Sequence, residues 1–123
     1  MQPFGELEAA VMRCLWRRAE PMTVRHMLEE LTKSRPLAYT TVMTVMDNLH
    51  RKGQLQRERD GRAWRYTPTR SAAEHTAALL QGILGEAGDR DEVLMHFVAD
   101  LDEDTAAKLR VAVEMSRTTG AGS

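Results

Sequence analysis

The chain has 123 residues, of which 42% are hydrophobic, so it can form one or two small domains but is too short for most multi-domain enzymes. It contains no apolar run of roughly 18 residues, which excludes membrane insertion at the level of the sequence. Its single cysteine, Cys14, cannot form an intramolecular disulfide, and the N-terminus lacks a charged segment followed by an apolar core. Both features favour a cytoplasmic protein.

The net charge of −1 conceals an uneven distribution along the chain. Residues 1–70 carry 13 Lys and Arg against 8 Asp and Glu, a net charge of +5. Residues 71–123 carry 4 against 10, a net charge of −6. We interpret this contrast as a basic nucleic-acid-binding domain followed by an acidic domain that stays away from the DNA.

Two helices are predicted at the start of the chain. Apolar residues recur at helical spacing from Gly5 to Arg17 and again from Thr23 to about Lys33, with Pro21 in the break between them. Thr23 is placed to cap the second helix. Together with Arg25 it lies where the N-terminus of that helix can approach a phosphate, so both residues are predicted DNA contacts.

The third predicted helix runs from Ala38 to Gly53 and has one apolar and one unusually polar face. Its apolar stripe consists of Val42, Val45, Met46 and Leu49. A solvated face more often carries Glu, Lys or Gln, whereas threonine hydroxyls, an amide and a guanidinium suit base edges and phosphates. We therefore predict a recognition helix, which Gly53 ends in a left-handed conformation. Its predicted DNA contacts are Thr40, Thr41, Thr44, Asn48, Arg51 and Lys52.

A β-hairpin is predicted next, with Asp60-Gly61 as its two-residue turn. From tip to base this turn pairs Arg59 with Arg62, Arg57 with Trp64, and Leu55 with Tyr66. The pair at the base is expected to reach the core, and Arg57 to lie over the ring of its partner. The two arginines at the tip repel each other, which a phosphate between them would relieve. The predicted wing contacts to DNA are Arg59, Arg62 and Arg65.

Three amphipathic helices are predicted after Pro68. Capping boxes at Ser71–Glu74 and Asp89–Glu92 open the first two, and Asp102 caps the third. About 50 residues of this kind bury too little surface to be stable alone, so we expect them to pack against a second copy. A twofold homodimer suits a helix-turn-helix protein that binds a palindromic site. The predicted dimerisation residues are Leu79, Leu80, Ile83, Val93, Leu94, Phe97, Val98, Leu101, Leu109 and Val113.

The predicted fold is α+β and mostly helical. It comprises a winged helix-turn-helix DNA-binding domain over residues 1–70, a three-helix dimerisation domain over residues 71–117 and a flexible tail over residues 118–123. No catalytic site, metal site or other cofactor is predicted. The four histidines lie on different elements without metal-ligand spacing, and neither Ser71 nor Cys14 has a neighbouring His and acid in the sequence.

Four segments of the chain resemble the BlaI/MecI family of penicillinase repressors. They are LEAAVMRCLW (Leu7–Trp16), TVRHMLEEL (Thr23–Leu31), AYTTVMTVMDNLHRKG (Ala38–Gly53) and DGRAWRYTP (Asp60–Pro68). The resemblance covers roughly residues 4–116. It implies a homodimeric repressor that binds a double-stranded DNA operator, a dyad of the TACA/TGTA type, and occludes a promoter.

The same resemblance implies a way to release the operator. In some family members a β-lactam-sensing membrane metallopeptidase starts a signal that leads to cleavage within the dimerisation domain. The cut lies before a phenylalanine that resembles Phe97. This chain has His96 where members commonly have Asn.

Two alternatives of other classes remain open. One is a winged-helix adaptor for protein partners, but protein-contact faces favour aromatic and aliphatic residues over threonines and arginines. The other is a one-component sensor whose helical half binds a small molecule. About 50 residues per chain leave little room for an enclosed cavity except at a dimer seam.

Overall fold

A computed structural model describes residues 4–120 of the chain, with side chains through Thr118. Three helices, a two-stranded hairpin and three further helices follow one another, which confirms the predicted order and fold class. The elements are α1 (Glu6–Arg18), α2 (Val24–Leu31), α3 (Tyr39–Arg51), β1 (Leu55–Asp60), β2 (Ala63–Pro68), α4 (Ala72–Glu86), α5 (Arg90–Ala99) and α6 (Glu103–Gly120).

The chain divides into two compact units, the first ending at Gln81 and the second beginning at Gly82. The division falls inside α4, later in the chain than the boundary placed at residue 70. The position of the boundary between the two functional domains therefore stays a prediction. None of the described helices is long and apolar enough to cross a membrane.

The core of the first unit lies between α1, α2, α3 and the base of the hairpin. On α3, Val42, Met46 and Leu49 are fully buried and Val45 is partly buried, as the apolar stripe predicts. Leu55 and Tyr66 at the base of the hairpin are also buried, which confirms their predicted place in the core. The other fully buried side chains of this core are Val11, Met12, Cys14, Leu15, Met22 and Met27.

The helix ends follow local chemistry. The Thr23 hydroxyl accepts a hydrogen bond from the His26 amide at 3.1 Å, so the predicted cap of α2 is confirmed. That helix ends at Leu31, slightly before the predicted end, where the Thr32 hydroxyl donates to the Leu28 carbonyl at 2.8 Å. Gly53 has a φ of +81°, the left-handed conformation predicted for the residue that ends α3.

The predicted register of the hairpin was wrong by two residues. The central turn residues are Gly61 and Arg62, because Gly61 has a φ of +64°, which fits the first central position of a type II′ turn. Arg59 therefore lies opposite Trp64 and not opposite Arg62, which removes the expected arginine pair. A shift by an even number leaves every side chain on its predicted face. The observed pairs are Leu55–Pro68, Gln56–Thr67, Arg57–Tyr66, Glu58–Arg65, Arg59–Trp64 and Asp60–Ala63.

The hairpin is attached to the helices through Met22. This residue forms an isolated antiparallel bridge with Tyr66, in which the two backbone N···O distances are 3.1 and 2.9 Å. Its side chain is buried, and it lies in the break between α1 and α2. The bridge fixes the base of the hairpin to the same core that holds α3.

The helices after Pro68 begin at the predicted caps. The Ser71 hydroxyl accepts from the Glu74 amide at 3.0 Å, while the Glu74 carboxylate accepts from the Ser71 amide at 2.9 Å. Asp89 and Asp102 accept from backbone amides at the starts of α5 and α6, at 3.0 and 2.7 Å. Helix α6 includes residues 118–120 of the predicted tail, and residues 121–123 lie outside the described residues.

Candidate nucleic-acid interface

The exposed face of α3 carries the hydroxyl-rich surface predicted from the sequence. Thr40, Thr41 and Thr44 are exposed, and Asn48 is half-buried. Thr40 lies inside the helix, whose N-cap is Ala38, so its hydroxyl does not cap the helix and faces outward. This surface therefore presents hydroxyl groups that can donate or accept hydrogen bonds.

A groove of about 610 Å³ lies between α2, the start of α3 and the hairpin. It brings together four residues that were predicted from distant parts of the sequence: Thr23, Arg25, Arg62 and Arg65. Tyr39 and Met43 also line the groove and are 44% and 42% exposed, and neither was selected from the sequence as a DNA contact. The feature that could have identified both residues is their position on α3, next to the threonines predicted to contact DNA.

Three of the predicted cations are already paired with carboxylates. Arg51 contacts Asp47 at 2.8 Å, Lys52 contacts Glu8 at 2.8 Å, and Arg65 contacts Asp60. The hydrogen bond from Lys52, together with one from the Gly5 amide, holds the pKa of Glu8 below its ordinary value. Any phosphate that binds these cations must therefore compete with a carboxylate of the protein.

Arg57 lies on β1, and its side chain contacts both α3 and the other strand of the hairpin. Its guanidinium is 4.3 Å from the centre of the Trp64 ring, which confirms the predicted stacking. It also contacts Asp47 at 3.4 Å and the Tyr66 hydroxyl at 3.3 Å. The guanidinium of Arg59, which lies opposite Trp64 in the hairpin, is 5.0 Å from the centre of the same ring.

Asp47 is the main residue of this surface that the sequence reasoning missed. It lies three residues after Thr44 and four before Arg51, so it shares their face of the helix. The acidic residue four positions before a basic one was the available signal, because such pairs form ion pairs on helices. The contact with Arg57 depends on the fold and had no local signal.

Most of the predicted dimerisation residues are exposed in the single chain. In the first unit Leu80 is 53% exposed and Leu79 is half-buried. In the second unit Leu101 is half-buried and the remaining predicted residues are exposed. These are Ile83, Val93, Leu94, Phe97, Val98, Leu109 and Val113.

Helix α5 contains no buried residue at all. It holds the predicted cleavage site, where the side chains of His96 and Phe97 are both exposed. The His96 Nε2 atom is 3.7 Å from the Glu92 carboxylate one turn earlier on the same helix. Within residues 4–120, no cluster of three or more His, Cys, Asp or Glu residues is placed to hold a metal ion.

Comparison with known proteins identifies close similarities over most of the chain. The family model described as "Penicillinase repressor" matches residues 4–115. The transcriptional regulator BlaI of Mycobacterium tuberculosis (strain CDC 1551 / Oshkosh) is 46% identical over 112 residues, which are 89% of this chain and 81% of that protein.

Two solved structures of BlaI proteins are similar to more than half of the chain. The DNA-binding domain of the repressor BlaI has a TM-score of 0.52 and 25% identity, covering 60% of this chain and 93% of that one. A monomeric form of Bacillus licheniformis BlaI in complex with the blaP half-operator has a TM-score of 0.50 and 25% identity. It covers 59% of this chain and 88% of that one.

Proposed function

This chain belongs to the penicillinase repressor family, and from that premise we propose that it is a dimeric, cytoplasmic transcriptional repressor that occludes promoters. In this proposal the exposed face of α3 enters the major groove of the operator, and the hairpin lies against the flanking backbone. The helical half joins two such DNA-binding units so that both halves of a TACA/TGTA-type dyad are bound together.

One observation carries the proposal. The exposed face of α3 carries threonines, and Thr23, Arg25, Arg62 and Arg65 line one groove between the start of α2 and the hairpin. Hydroxyl groups suit base edges, and a convergence of guanidinium groups at a helix N-terminus suits phosphates. The half-operator complex of Bacillus licheniformis BlaI supports the proposal, because that chain is similar in fold to 59% of this one.

The assignment of roles is tested by two matched variants on two duplexes, one with the TACA/TGTA dyad and one of random sequence. Arg62→Ala should weaken binding to both duplexes alike and flatten the dependence of log affinity on log salt by about one unit. Thr44→Ala should lower the preference for the dyad by roughly 1–3 kcal/mol at one base position. Fluorescence anisotropy over a salt series measures both effects.

Two outcomes would contradict these roles. Equal losses on the dyad and the random duplex for Thr44→Ala would remove the base-contacting role of that helix face. A wild-type chain that binds neither duplex at low salt would favour the alternative of an adaptor for protein partners.

The exposed apolar residues of the second unit support dimerisation. An isolated helix of ten residues is marginal in water, and α5 has that length with none of its residues buried. Its exposed Val93, Leu94, Phe97 and Val98 can be buried by a second copy, which supplies the stabilisation that the single chain lacks. We infer that these residues form the centre of a twofold interface.

We further propose that cleavage before Phe97 releases the operator in response to a β-lactam or cell-wall signal, relayed by a membrane metallopeptidase. A protease needs an extended substrate, and α5 buries none of its residues in the single chain, so it can unfold locally at low cost in a subunit that has separated from its partner. Mass spectrometry of the chain from cells with and without a β-lactam should show a fragment that begins at Phe97. His96→Asn, which introduces the common family residue, should produce at least as much of that fragment.

An intact chain in cells where the repressed genes have been switched on would contradict cleavage while leaving repression itself intact. Release without cleavage would then favour the alternative of a sensor that binds a small molecule directly.

A further inference from the structure

A carboxylate lies at the edge of the face that is proposed to meet the DNA. The Asp47 side chain is 38% exposed and contacts two arginines at once. One of its oxygens is 2.8 Å from Arg51 on the same helix, and the other is 3.4 Å from Arg57 on β1. Asp47 therefore links the recognition helix to the hairpin.

The two arginines are held to different degrees. Arg57 is only 24% exposed and is fixed from three directions, by Asp47, by the Tyr66 hydroxyl and by the Trp64 ring. Arg51 is 68% exposed and also donates to the Asn48 side chain at 2.9 Å. Both guanidinium groups thus have partners on the protein before any DNA arrives.

Sequence-independent binding depends on free cations. Essentially all of the affinity for random DNA comes from phosphates that are neutralised by Lys and Arg, and each such contact adds about 0.9 to the salt dependence. A carboxylate next to two arginines competes with phosphates for the same donors. It also repels a nearby phosphate, so it lowers the affinity for every DNA sequence. The part of the affinity that comes from contacts to bases is lowered less.

We propose that Asp47 is a specificity-determining residue, which holds Arg51 and Arg57 away from phosphates and thereby restrains binding to random DNA. The proposal rests on the proposed DNA-binding function. Asp47 reaches the hairpin through its contact with Arg57, and it holds Arg51 on its own helix, α3.

The test uses Asp47→Asn in the full chain, with a random duplex of about 30 base pairs as the probe. Release of one or two arginines should steepen the salt slope by about one to two units. The affinity advantage of the variant should therefore shrink by about three- to tenfold between 50 and 200 mM salt. On a duplex with the TACA/TGTA dyad the gain should be smaller, so that the ratio of dyad to random affinity falls.

Two further variants separate the proposed role from a general change in charge. Glu58→Gln removes the same charge from the hairpin, and Glu58 belongs to none of the ion pairs among the described residues. It should leave the salt slope unchanged. The double variant Asp47→Asn with Arg57→Gln should return the slope about one unit toward the wild-type value.

Each result decides one statement. Suppose that the wild type binds the random duplex and that Asp47→Asn has the same salt slope as the wild type or as Glu58→Gln. Asp47 then has no specific role, while the proposed DNA binding stands. If the wild type binds neither duplex, the proposed function itself fails. An unchanged thermal unfolding temperature for Asp47→Asn confirms that the fold is preserved in the comparison.

Discussion

The two units of this chain bury their apolar residues very differently. In the first unit, α1, α2, α3 and the hairpin enclose fourteen buried hydrophobic residues in one core. In the second unit, α5 buries none of its residues, and Phe97 and Val111 are more than half exposed. The first unit therefore has a core of its own, whereas the apolar surface of the second unit stays uncovered in the single chain. The difference teaches where the proposed functions divide: the first unit supplies its own stability, and the second offers the surface that the proposed dimer would bury.

The largest effect is expected from the core of the first unit. Leu49 on α3 is fully buried, so Leu49→Ala should lower the free energy of unfolding by about 3 kcal/mol through lost burial and a cavity. Thermal or urea unfolding measures the loss, which should not depend on protein concentration. Ile83→Ala, at a position that is 65% exposed, is the control and should have little effect on the unfolding of the dilute chain.

The second effect concerns assembly. Phe97 is 56% exposed in the single chain, and burial of an aromatic side chain in a dimer contributes strongly to association. Phe97→Ser should raise the dimer dissociation constant by about thirty- to one-hundredfold, or roughly 2–3 kcal/mol. Sedimentation equilibrium measures this change. A variant that is as dimeric as the wild type would place the interface elsewhere.

The third effect concerns the start of α4, which lies within the first unit. His75 is buried and stacks on Phe4 with ring centres 4.3 Å apart, and its ring centre is 5.5 Å from that of the tilted Trp16 ring. Among the described residues its Nδ1 atom has no hydrogen-bond partner. His75→Ala should cost about 2 kcal/mol of unfolding free energy through lost packing.

His75→Phe is the matched control, because it keeps the ring and removes the unpaired nitrogen. It should be as stable as the wild type or more stable. If His75→Ala unfolds at the wild-type temperature, the start of α4 does not belong to the stable unit, and the boundary expected at residue 70 is the better one.

The smallest effect is the acid response of the first unit. Lys52 and the Gly5 amide lower the pKa of Glu8 in the folded chain, so its charge stabilises the fold above pH 4.5 and this contribution is lost as the pH falls. Glu8→Gln should cost about 1 kcal/mol at neutral pH and should show less further loss on acidification. Urea unfolding at neutral pH and below the ordinary glutamate pKa checks the sign. Equal acid sensitivity of both proteins would contradict the role of this ion pair.

Patterns within single elements predicted much of the fold. The apolar spacing of α3, the cap at Thr23 and the positive φ of Gly53 all follow from neighbouring residues, and each is confirmed. The hairpin register was wrong because Asp60-Gly61 allows two placements of a two-residue turn. The local sequence does not say whether the glycine comes first or second.

The parts of the candidate site that depend on distant residues were the hardest to predict. The contact of Asp47 with Arg57 and that of Glu8 with Lys52 join elements that the sequence does not place side by side. The exposure of the predicted threonines follows from helical periodicity, but the pairing of nearby cations with carboxylates requires the fold. A pattern of positive charge thus overstated how many cations are free.

The contrast between the units is tested most directly by sedimentation of the wild-type chain with a duplex that carries the TACA/TGTA dyad, at low salt. Two DNA-binding units joined by the helical half predict a complex of two chains on one duplex. They also predict a stable dimer without DNA. A chain that stays monomeric and sediments apart from the duplex would contradict the account.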